Sequence, residues 1–440
     1  MRRDEYLKDV GEQIRWKRAR APLLAELEDH ITDCRDTYLA RGMSEEEAEE
    51  KAVAQMGDPI ETGTMLDRVH RPRPDWGVIC SFSALLILGT ALMYLTFGAE
   101  SGKEMLLLAS GSIAALTAGY FFDYTNLARF PKILFFSVWG ICSIGQIFVP
   151  SGSGRILLSQ IGYALPLAYG VLLWSLCGVR SQTKKLLFAY IGGAMCIFAA
   201  IFSNVGFNAV MYNYVCCCGI IAYAAAQGIF TRNRRKNIII CVFPLLLAAG
   251  FAVLLLLTLY PGMIGRIESV FDPYSNAYEK GYQSVLIREL VYNSRFIGKG
   301  GTGNYDFISY VEQYERQNLF KNDFLLAFSA HYLGWITISA VFLITAGLCL
   351  FIIRGIRRQS CILGKLTAFS VAICFAVRAV MYFACNLGFE LFTMDGLMLF
   401  SYNGKLMLLD AFMAGIMLSV FRTESISRDS VIQNRAKKAT

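Results

Sequence analysis

The sequence predicts an all-α polytopic membrane protein of about ten transmembrane helices, with a small helical bundle ahead of them. Three observations carry this reading. Of 440 residues, 55% are hydrophobic and 17% charged, and the mean hydropathy is +0.44, which leaves too little polar surface to cover a soluble globule of this size. Apolar runs long enough to cross a bilayer recur from Trp76 onward. The net charge of +8 lies in short clusters between those runs and not on one basic segment, so it reads as a topology signal and argues against a nucleic-acid partner.

Residues 1–72 are a different kind of sequence and are expected to form a cytoplasmic helical bundle. After Pro22, the residues Leu24, Leu27, Ile31, Cys34 and Tyr38 recur at spacings of three and four, which puts them on one helical face opposite a charged one. Gly42 ends that helix, Ser44 with Glu47 makes a capping box for the next, and Met56 and Gly57 stop it before Asp58 and Pro59. These apolar faces serve the bundle's own core, and no ligand site is indicated. The charged character of this segment also argues against a cleavable signal peptide.

From Trp76 the chain is read as spans over 77–99, 105–122, 133–150, 161–178, 186–203, 207–230, 238–260, 324–353, 366–386 and 403–421. Ser203, Asn204 and Gly206 mark the turn inside the long uncharged run from Leu186 to Thr231. Alternate loops hold Arg129 and Lys132; Arg180, Lys184 and Lys185; Arg232, Arg234, Arg235 and Lys236; and Arg354, Arg357, Arg358 and Lys365. This bias places both termini in the cytoplasm of a bacterial plasma membrane, with 423–440 as a cytoplasmic tail. The thirteen cysteines lie mostly within apolar runs and read as small hydrophobes. His30, His70 and His331 are scattered, so no metal or other cofactor is indicated, although a divalent cation is compatible with the sequence.

Residues 261–322 form a loop of about sixty residues on the extracytoplasmic side, far longer than ordinary helix connections. Function is expected there. At its end Asp323 stands where the loop meets an apolar helix, so it can act as a general base towards a polar head group; capping that helix is the other reading of the same position. Arg266, Asp272, Arg288, Arg295 and Lys299 supply charge, and Gly298, Gly300 and Gly301 flank Lys299 with backbone donors suited to a pyrophosphate; a solvated turn explains that glycine stretch equally well. Arg378 and Asp410 fall inside spans, where a charge defaults to a functional or paired role. Lys405, near an outer end, is explained by snorkelling.

The order of these features resembles the SEDS family, the RodA- and FtsW-like proteins of cell-wall growth. The likeness covers residues 76–422 and rests on Arg266 with Phe271, Asp272 and Pro273; Gly281, Tyr282 and Gln283; Gly298, Lys299 and Gly300; Asn322, Asp323 and Phe324 with Leu333 and Gly334; and Ser401, Tyr402 and Gly404. The resemblance implies polymerisation of lipid II at the outer membrane face, with Asp323 as the catalytic acid-base residue and Arg266, Tyr282, Gln283, Lys299, Ser401 and Tyr402 at the substrate. It also implies membrane lipids, a polyprenyl-linked substrate and a transpeptidase as partners, and a role in cell shape, division or sporulation. Around Pro166, where that family carries Ser, Glu and Lys, this chain has Leu167, Ala168 and Val171, and Asp410 stands where the family has Asn. Residues 26–59 resemble the permease prefix domain, which implies a cytoplasmic partner. Three readings of function therefore stand side by side: a divergent glycosyltransferase, a catalytically degenerate scaffold or sensor, and a lipid transporter.

Overall fold

The computed structural model describes residues 2–149, 153–202, 207–230, 239, 243, 250, 262–276, 281–301, 323–389 and 396–423. It divides into two compact units, one carried by the residues up to Pro74 and one that begins at Asp75.

The first unit is four helices, α1 (Arg3–Gln13), α2 (Lys17–Ala40), α3 (Glu45–Gln55) and α4 (Pro59–His70). The expected caps are present. Ser44 accepts from the Glu47 amide, Asp58 accepts from the Ile60 and Glu61 amides, and Gly42 and Gly57 take the positive φ that closes α2 and α3. Tyr6, Val10, Ile14, Ile31 and Val53 form the core, with Leu24, Leu27, Cys34 and Tyr38 packed on it. Helix α2 begins at Lys17, so Pro22 lies inside it, in its second turn. Near a helix start a missing N–H removes only one intrahelical bond, which the core contacts of Ala19 and Leu23 offset.

In the second unit, nine helices among the described residues are long and apolar enough to cross a membrane. They are α5 (Trp76–Phe97), α6 (Ala99–Phe121), α7 (Pro131–Phe148), α8 (Leu157–Gly178), α9 (Gln182–Ile201), α10 (Asn208–Ala226) and, later in the chain, Ile336–Arg358, Ile362–Asn386 and Gly404–Arg422. Each matches an expected span. The expected seventh, 238–260, lies almost wholly outside the described residues. Exposed Leu106, Leu107, Phe188, Ile191, Leu343 and Val380 on these helices are apolar surface that lipid, not water, solvates.

Between the sixth and the later spans, the described residues include two shorter helices, α11 (Gly262–Phe271) and α12 (Tyr282–Tyr292). The expected eighth span, 324–353, is not continuous. It is a nine-residue helix, α13 (Leu325–Leu333), a break at Gly334, and then α14 (Ile336–Arg358). Gly334 has φ +108°, and a Cβ there would run into the Phe296 carbonyl, so a crossing segment at 295–297 forces the break. The helices α15 (Ile362–Asn386) and α16 (Gly404–Arg422) complete the unit.

Helix α8 lies at the centre, against α7, α9, α10 and α15, and every residue of Leu165–Trp174 is buried. Close approach elsewhere uses small residues. A Cβ on Gly119 would meet the Phe412 carbonyl and one on Gly415 the Leu116 carbonyl, so α6 and α16 touch backbone to backbone, the usual way helices pack without a hydrophobic driving force.

Candidate functional site

Helix α13 is wholly buried from Leu325 to His331, so its terminal backbone groups need protein partners. Phe324 holds its N-cap position and offers no side-chain cap. The function passes to Asn386, at the end of α15: its Oδ1 accepts from the Ala327 amide at 2.9 Å, and its Nδ2 donates to the Asp323 carbonyl at 3.0 Å and to the Tyr382 carbonyl at 2.9 Å. At the other end, Gly298 donates to the Leu333 carbonyl at 2.9 Å and Gly300 to the His331 carbonyl at 2.7 Å, while Gly301 donates to Asn293 at 2.8 Å. These glycine N–H groups are therefore spent inside the protein, which removes the expected pyrophosphate cradle of open backbone donors. A Cβ on Gly300 would lie 2.8 Å from His331 Nδ1, so that glycine is there for packing. The Lys299 ammonium, exposed, stands 5.0 Å over the Tyr332 ring.

Asp323 is thus held from outside its own helix. It is partly exposed, precedes the N-cap residue, and so is not the capping residue of α13. Around it, Leu286, Ile287, Leu290, Val291, Phe324, Phe328 and Cys385 form one apolar cluster, on which Phe97 and Tyr282 pack. Phe97 stacks on Phe328 at 4.8 Å. Tyr282 and Gln283 open α12, both half-buried. The ends of α5, α12, α13 and α15 meet here, opposite the span ends that carry Arg357 and Arg358. Arg266 falls on α11, but its side chain lies outside the described residues, as do Lys321 and Asn322.

The segment from Gly396 to Asn403 leads into α16. Ser401 is buried, and its Oγ accepts from the Leu397 amide at 3.1 Å, so it builds the turn. Leu399 adopts φ +59°, a left-handed conformation that costs a side-chain-bearing residue roughly 1–2 kcal/mol. Tyr402 is half-buried; burial first, then the Glu104 carboxylate, pushes its phenol pKa up, which keeps it a neutral donor.

Arg378 and Asp410, expected to take a functional or paired role, are paired. Arg378 Nη1 lies 2.6 Å from both Asp410 oxygens, each side chain is 1% exposed, and Nη2 donates to the Gly396 carbonyl at 3.1 Å. The pair joins α15, α16 and the start of the Gly396–Asn403 segment.

Sequence reasoning missed Tyr382 and Asn386. With Arg378 they stand at i, i+4 and i+8, one polar stripe on α15. The Tyr382 hydroxyl is buried by Ser401 and the Leu326 amide, within electrostatic range of Asp323. The detectable signal was this four-residue spacing of polar side chains in an apolar helix. Among the described residues no group of three or more His, Cys, Asp or Glu side chains is placed to hold a metal ion.

No protein-family model and no curated protein matches the chain. Solved structures do. A chain from work on the structural coordination of polymerization and crosslinking by a peptidoglycan synthase complex aligns with TM-score 0.61 and 14% identity, over 79% of this chain and 98% of that one. The rod shape determining protein RodA of Thermus thermophilus aligns at 12% identity, with TM-score 0.54 as an aspartate-to-alanine mutant and 0.51 without that substitution, each over 81% of this chain and 98–99% of the other. The membrane helices therefore have the RodA fold, a polytopic all-helical membrane architecture.

Proposed function

We propose that this chain is a divergent lipid II polymerase working at the outer face of the plasma membrane, with Asp323 as its general base. The observation that carries the reading is Asp323 itself. It is a partly exposed acidic residue just ahead of a buried half-helix, its main-chain carbonyl held by a neighbouring helix, in a fold shared with a peptidoglycan synthase component. In the reaction, a sugar hydroxyl of one lipid-linked molecule attacks the anomeric carbon of another and a new C–O bond forms. The bond to pyrophosphate breaks, the polyprenyl pyrophosphate leaves with the electron pair, and the hydroxyl proton goes to Asp323. Lys299 and Arg266 are assigned to the leaving pyrophosphate, and Tyr282, Gln283 and Tyr402 to the substrate around the acid, with the buried Ser401 shaping the turn that carries Tyr402. By the same reading a transpeptidase pairs with the membrane unit, both termini are cytoplasmic, and the N-terminal bundle acts as a permease-prefix-like adaptor for a cytoplasmic partner.

One observation favours a second reading, a non-catalytic scaffold or sensor. Leu167, Ala168 and Val171 are buried in the all-apolar centre of α8, where the family resembled carries charges. The buried pairing of Arg378 with Asp410 weighs against transport, because neither is available to a passing cargo. Proteoliposomes given labelled lipid II separate the three: glycan polymer supports the enzyme, transfer of the lipid between leaflets without polymer supports a transporter, and neither supports the scaffold.

A further inference from the structure

We propose that Asn386 is a positioning residue of this site, acting through Asp323 by holding the main chain from which the carboxylate projects. The inference rests on the reading of Asp323 as the base. Asn386 is 0% exposed, so no water competes for its amide. Both of its N–H donors and one acceptor site are used, on the Asp323 carbonyl, the Tyr382 carbonyl and the Ala327 amide. Two of those contacts, to the Asp323 carbonyl and the Ala327 amide, hold the chain on either side of the N-cap Phe324, and the third ties Asn386 to its own helix. Phe324 supplies no cap of its own, so the direction of the Asp323 side chain is set by α15 and not by its own helix.

A second observation places the same stripe at the chemistry. Tyr382, one turn before Asn386, is 1% exposed, and its hydroxyl lies by Ser401 and the Leu326 amide, within electrostatic range of Asp323. The stripe on α15 therefore reaches both the start of α13 and the segment that carries Ser401. Arg378, one turn earlier again, holds the Gly396 carbonyl and so fixes the start of the segment that carries Ser401 and Tyr402. One face of α15 therefore sets both walls of the site.

The test uses the full chain in nanodiscs, read two ways: turnover of labelled lipid II, and hydrogen exchange of the amides from Phe324 to Ala327. Asn386→Asp keeps an acceptor for Ala327 and loses the donor to Asp323; Asn386→Ser replaces it where the first variant folds poorly. Expected are a kcat lowered about tenfold or more with KM nearly unchanged, faster exchange confined to Phe324–Ala327, and no further loss when the change is added to Asp323→Ala. Wild-type kcat in the variant overturns the proposal. Should the unaltered protein make no polymer, the reading of Asp323 as base fails on its own, and the exchange arm decides for positioning: unchanged protection at Phe324–Ala327 overturns it.

Discussion

Arg378 and Asp410 show how differently one residue reads alone and in contact. Each is an expensive charge in an apolar helix; together they are a 2.6 Å pair sealed from solvent. Removing one partner strands the other. Arg378→Leu or Asp410→Leu should each cost about 3–5 kcal/mol, and the double replacement less than either alone, read as melting temperature in detergent; equal or additive losses would contradict the pairing. Asp323 was legible in the sequence because a carboxylate at a loop-to-apolar boundary is chemically conspicuous. Asn386 and Tyr382 were not, since neutral polar residues pass unremarked in a span and the partners of Asn386 on α13 lie about sixty residues away. The two readings of the glycine stretch could not be separated in the sequence for a related reason: residue type tells that an N–H exists, not which carbonyl already holds it.

At the scale of elements, the caps and stops of the first unit were legible because they depend on neighbours in sequence, as Ser44 and Asp58 do. The division of the expected eighth span was not, because Gly334 is forced into positive φ by a loop thirty-eight residues earlier in number, whose Phe296 carbonyl occupies the space of a Cβ. Helix α13 is short, so its two ends carry much of its order. Gly334→Ala should destabilise the membrane unit by about 1–3 kcal/mol through a strained backbone and that clash, measured by thermal unfolding and by protease access to 295–301. A variant as stable as the unaltered chain would show that the break is a matter of sequence preference and not of crossing.

For the whole molecule, periodicity and length sufficed for the membrane architecture, since lipid demands that every crossing satisfy its own backbone. Nine of the expected spans have a counterpart among the described residues, the eighth beginning only at Ile336. Sidedness rests on the alternation of Lys and Arg alone. Reporter fusions after Phe97 and after Asn386 should report the outside, and fusions at His70 and Arg358 the inside; the reverse pattern would put Asp323 on the cytoplasmic face and remove the substrate from reach. The central claim is that a single carboxylate at the outer helix ends takes the proton of an attacking sugar. It is tested most directly by the initial rate of lipid II polymerisation with Asp323→Asn, which keeps the side chain's shape and the main-chain contact to Asn386. The account predicts a fall on the order of 10²-fold or more at unchanged melting temperature; polymer formed at the rate of the unaltered protein would contradict it.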